Sequence, residues 1–126
     1  MATYPGPEIS SAAAVVPRPV ETLASVYDYR DEEAVLAYLH TYTDLVDMLM
    51  GLPERVRHDL PVIGRPVLEV FHDPESDGPD GPLFALFPTQ LPPADALERL
   101  MRMRADWWLD LYRRLGGRLN LDVEFR

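Results

Sequence analysis

A chain of 126 residues has room for one hydrophobic core and not for two. It holds no cysteine, and all 12 basic residues are arginine. Disulfides, thiolate metal ligands, cysteine nucleophiles, Schiff-base lysines and phosphate-loop lysines are therefore excluded. The net charge of −9 disfavours general nucleic-acid binding, which needs cations to neutralise phosphates, and would attract a basic partner.

The N-terminal 19 residues carry Pro5, Pro7, Pro17 and Pro19 among small side chains. That composition predicts a flexible or polyproline-like tail, leaving 20–126 as a single domain. The apolar run Ser11 to Val16 is too short for a signal peptide, and no segment approaches the roughly 18 apolar residues of a membrane span. The expectation is a soluble, cytoplasmic protein with no membrane association.

Residues 20–30 fit a short strand, a helical turn, or a segment docked by Leu23, Val26, Tyr27 and Tyr29. A first helix is predicted over 31–50. Asp31 can cap it, Glu32 and Glu33 suit its first turn, and Val35, Leu39, Tyr42, Val46 and Leu49 form one apolar stripe. Gly51 should stop it, and Pro53 should open a short helix through Leu60.

Two strands are expected next, at 66–72 and 82–87. The nine residues between them hold four acids, two glycines and two prolines, which reads as an exposed turn joining an antiparallel hairpin. Pro88 should end the second strand. A helix over roughly 94–115 follows, with the pair Trp107-Trp108 on its apolar side, and Gly116-Gly117 ends it. In the last strand Leu119, Leu121, Val123 and Phe125 alternate with Asn120, Asp122, Glu124 and Arg126.

The predicted order is α-α-β-β-α-β. The fold class is α+β, with a small three-stranded, mainly antiparallel sheet packed against helices. The last strand can lie beside the second and parallel to it, or beside the first and antiparallel; the second arrangement is preferred.

The segments Val67 to Glu75 (VLEVFHDPE), Ala94 to Leu100 (ADALERL), Trp107 to Asp110 (WWLD) and Gly117 to Phe125 (GRLNLDVEF) resemble a pattern in short bacterial α+β proteins. The resemblance covers about residues 66–126. It implies a compact strand-strand-helix-strand module and carries over no activity or catalytic residue.

Three groups of side chains are candidates for chemistry. Glu69, His72 and Asp73 are metal-ligand types close in sequence, although Glu69 and His72 would point to opposite faces of a regular strand. Asp73, Glu75 and Asp77 have the opening spacing of a calcium loop, but Phe84 stands where the bidentate acid belongs. Glu69, Asp122 and Glu124 could gather on the polar sheet face, which becomes a binding surface if no helix covers it.

Residues 98–118 set six arginines against Glu98, Asp106 and Asp110, a local balance of +3. Trp107 or Trp108 as anchor, with Arg102, Arg104 and Arg113 as rim, would make a protein-binding surface. No nucleophile-elbow or phosphate-loop pattern is present, so neither a catalytic residue nor a cofactor is expected. The favoured reading is a non-enzymatic protein-binding or regulatory accessory, antitoxin-like or immunity-like, whose partner is another protein or a second copy in a homodimer. The alternatives are a small metal-binding protein or hydrolase with a site near His72, and a nucleic-acid binder using the arginines of the last helix.

Overall fold

Alternating apolar residues in the strands and three-to-four spacing in the helices build one sheet with helices on one side of it. The computed structural model describes residues 20–75 and 80–126; the predicted N-terminal tail, with Asp77 of the acidic turn, lies outside them. A 3-10 turn at Val20–Ser25 leads into β1 (Asp28–Arg30), α1 (Glu32–Thr41), α2 (Asp44–Asp59), β2 (Val67–Val70) and β3 (Leu83–Thr89). Then come α3 (Pro93–Met103), a π-helical turn (Arg104–Trp108), α4 (Leu109–Arg114) and β4 (Leu119–Phe125).

The broad α+β class holds, but the sheet is four-stranded and mixed, in the order β1-β2-β3-β4. The predicted three-stranded, mainly antiparallel sheet is corrected in two respects. The ambiguous segment before Asp31 supplies β1, which pairs parallel to β2. The last strand lies beside β3 and parallel to it, so only the β2–β3 hairpin is antiparallel. Seven register pairs from Leu83↔Leu119 to Thr89↔Phe125 make the β3–β4 ladder the longest, against four for β2–β3.

The first helix does not run from 31 to 50. It breaks at Tyr42 and resumes as α2 after Thr43, then passes through Gly51 and Pro53 to Asp59. The apolar stripe continues across the break, so periodicity alone could not show it. The corner is held from far along the chain. Arg118 pairs with Asp44 at 2.6 Å and lies 5.1 Å from the centre of the Tyr42 ring, and the Tyr38 hydroxyl donates to the Arg118 carbonyl at 2.8 Å.

Pro53 survives inside α2 for a definable reason. A proline has no N–H, so the carbonyl four residues earlier loses its helical partner. That carbonyl belongs to Leu49, and the buried Tyr27 hydroxyl donates to it at 2.8 Å. Pro88 likewise fails to end its strand. Alternation in β3 turns its missing N–H toward the β2 side, beyond the start of β2 at Val67, while its carbonyl accepts from Ile63 N–H at 2.9 Å.

The core joins Val35 and Leu39 of α1, Leu45, Leu49 and Val56 of α2, Leu100 and Met103 of α3, and Trp108 of the π turn. From the sheet it takes Leu68, Leu83, Ala85, Phe87, Leu119 and Leu121, all on one face. Gly116 and Gly117 make the turn back into β4 at φ values of 63° and 72°, a left-handed conformation that a side chain disfavours. A Cβ on Gly117 would also stand 3.3 Å from the Tyr112 hydroxyl.

Candidate functional site

The second face of the sheet carries the side chains that alternate with the core set. Register places Arg30, Glu69, Phe84 and Asn120 in one row, and Asp28, Val67, Leu86 and Asp122 in the next. Val67, Phe84 and Leu86 take no part in the helix-covered core, and of these Val67 is buried while Phe84 and Leu86 are partly exposed. This face holds a cleft of about 400 Å³ lined by Glu69, Val70, Phe71, His72, Phe84, Leu86 and Asp122. Phe71 is 49% exposed, and its ring centre is 6.3 Å from that of Phe84.

The face mixes apolar side chains with charged ones, and an ion pair spans it. Arg30 reaches from edge strand β1 to Glu124 on the opposite edge strand, at 2.9 Å, and also pairs with Glu69 at 3.2 Å. Arg126 adds a second cation to Glu124 at 2.7 Å. The hydrogen bonds from Arg126 and Arg30 hold the Glu124 carboxyl below the usual glutamate range. Asp122 accepts from the Val123 N–H at 2.8 Å and has no ion pair among the described residues.

His72 and Glu69 do line one cleft: backbone pairing with the β3 side continues through Phe71, and His72 follows beyond it. His72 Nδ1 is 2.7 Å from Asp80 Oδ1, and this hydrogen bond raises the histidine pKa above its ordinary value. Asp73 turns to its own loop, accepting from the Glu75 N–H at 3.0 Å. Glu69, His72 and Asp73 therefore do not converge. Among the described residues, no three His, Asp or Glu side chains are placed to hold a metal ion.

The expected helix surface is also rearranged. Trp108 is 2% exposed and packs in the core, and it also lines a cleft of about 270 Å³ with Arg104, Leu109, Tyr112 and Asn120. Trp107 is half-buried against α2: its Nε1–H donates to Asp59 at 3.0 Å, and the Arg55 guanidinium lies 4.3 Å from its ring centre. The two indoles meet edge to face at 5.9 Å. Arg104 turns to the sheet and donates to the Leu121 carbonyl at 3.1 Å. Arg102 pairs along the helix with Glu98 at 3.4 Å, and Arg113 is exposed. The exposed apolar residues of this helical segment are Leu97, Met101 and Leu109 instead of the tryptophans.

The outward edge of β4 is partly occupied by side chains. In β4 the Arg118 carbonyl and the Arg126 N–H point toward β3, so the backbone groups of Leu119, Leu121, Val123 and Phe125 point outward. Arg104 takes the outward Leu121 carbonyl, and the side chains of Asn120 and Asp122 take the N–H groups of Leu121 and Val123 at 2.9 and 2.8 Å. The other edge strand, β1, is only three residues long. Short strands and occupied edge groups are ordinary protection against unwanted pairing. The uncovered face has room for a ligand in its cleft of about 400 Å³.

Comparison with protein-family models, curated proteins and solved structures gave no match for this chain. No helix among the described residues is long and apolar enough to cross a membrane.

Proposed function

We propose that this chain is a non-enzymatic protein-binding module that works through the uncovered face of its sheet. The observation that carries this reading is the cleft lined by Phe71, Phe84 and Leu86 together with the carboxylates of Glu69 and Asp122. Partly exposed aromatic and aliphatic side chains beside charged ones have the anatomy of a recognition patch. Acidity adds electrostatic attraction for a basic partner. A regulatory accessory of the antitoxin or immunity type would use such a surface to cover a basic region of another protein.

The test compares wild-type protein with Phe84→Asp and Met101→Asp in affinity capture from cells that make it, followed by reconstitution from purified components. Far-ultraviolet circular dichroism confirms that each variant is folded. The expected result is one stoichiometric companion, lost with Phe84→Asp and kept with Met101→Asp. Loss with Met101→Asp alone would move the function to the exposed side of α3. A companion indifferent to both changes would remove the reading.

A further inference from the structure

We infer that the occupant of the cleft is a peptide segment pairing an apolar residue with an arginine or lysine, whose cation is held at Asp122. This rests on the face being the docking surface. The argument is charge complementarity within the cleft. Glu69 is already engaged by Arg30, and His72 by Asp80. Asp122 is the lining carboxylate with no cation of its own among the described residues, and its single hydrogen bond to the Val123 N–H uses one oxygen. The other oxygen is available to a donor from outside.

The apolar floor lies beside it, because Leu86 is the register partner of Asp122. Phe84 is two residues from Leu86 on the same face, and Phe71 extends the patch toward the end of the hairpin. A bound segment can therefore place an apolar side chain on Phe84 and Phe71 while a neighbouring cation reaches Asp122. Aromatic rings tolerate a guanidinium stem across their faces, so the flat Arg side chain suits both halves of the site. An acidic segment would meet Glu69 and Asp122 together, and a purely apolar one would leave Asp122 unused. On the β4 edge the Leu121 N–H and carbonyl and the Val123 N–H are already taken, so recognition on this face leans on side chains.

The experiment selects from a displayed library of random heptapeptides against wild-type protein, then measures the selected peptides against Asp122→Asn, Phe84→Ser and Met101→Asp. Asn at 122 keeps an acceptor for the Val123 N–H while removing the charge. The expected outcome is enrichment of Arg or Lys beside an apolar residue. Binding should weaken about tenfold or more in Asp122→Asn, consistent with loss of a charge-assisted bond, and remain unchanged in Met101→Asp. Amide shifts at Phe71, Phe84 and Leu86 should map the contact. Selected peptides that lack cations yet bind the same amides would overturn the cation assignment and leave the docking face standing. Binding insensitive to Phe84→Ser, or no enrichment at all, would overturn both.

Discussion

The guanidinium of Arg104 donates to the carbonyl of Leu121, 3.1 Å away, on the outward edge of β4. The π-helical turn begins at Arg104, and widening the helix there lets this side chain reach the sheet while Trp108 enters the core. An arginine that looks like a rim residue in sequence therefore occupies part of the sheet edge.

Removing that contact should expose more of the strand. The double change Arg104→Met with Asn120→Val takes away two of the three edge bonds at Leu121 and Val123. We expect concentration-dependent self-association in sedimentation velocity, with the wild-type chain unaffected over the same range. A monomeric double variant of wild-type stability would show that the edge is protected by something else.

Tyr27→Phe should be costly and coupled to Pro53. Without the hydroxyl, the buried Leu49 carbonyl has no donor, a loss of about 1–3 kcal/mol in urea unfolding. In a Pro53→Ala background the alanine N–H can take that carbonyl, so the penalty for Tyr27→Phe should shrink. Equal penalties in the two backgrounds would contradict the proposed division of labour. Burial alone pushes the Tyr27 hydroxyl far above the ordinary tyrosine range, so this bond stays intact through mildly alkaline pH.

Much of the fold is legible in sequence, and the misses share a cause. The alternation from Leu119 to Phe125, the hairpin around the acidic turn and the Gly116-Gly117 stop are local patterns, and each is present. Pro53, Pro88 and the break at Tyr42 mislead because their partners are distant. Tyr27 takes the carbonyl that Pro53 frees, Ile63 takes that of Pro88, and Arg118 holds Asp44 at the corner. The candidate site was half legible. Glu69 and Asp122 could be assigned to the polar face by alternation, but its apolar residues could not. Phe84 and Leu86 sit in a continuous apolar run, which hides which of its residues face the helices.

The His72–Asp80 pair should respond to pH in a defined direction. Because the folded histidine pKa is raised, the contribution of this pair is complete below the ordinary histidine value and fades as pH rises through the raised one. Titration followed by the imidazole proton resonances should place His72 above an unpaired histidine, and Asp80→Asn should bring it down. No downward movement would mean that the pair is not formed in solution.

Glu124 should act at the other end of the scale. Its folded pKa is lowered, so its contribution is complete above the ordinary glutamate value and is lost as pH falls through the lowered one. The same sign holds for Asp44, lowered by its hydrogen bond from Arg118. Glu124→Gln should flatten the acid limb of the stability profile and make it less sensitive to salt. An unchanged limb would assign the acid loss to other carboxylates.

The central claim is that partners meet the uncovered sheet face. A photoreactive benzoylphenylalanine placed at Leu86, and separately at Met101, tests it inside the cells that make the protein. Irradiation should yield one discrete heavier adduct from position 86 and none from position 101. An adduct from position 101 alone, or from neither, would contradict the account.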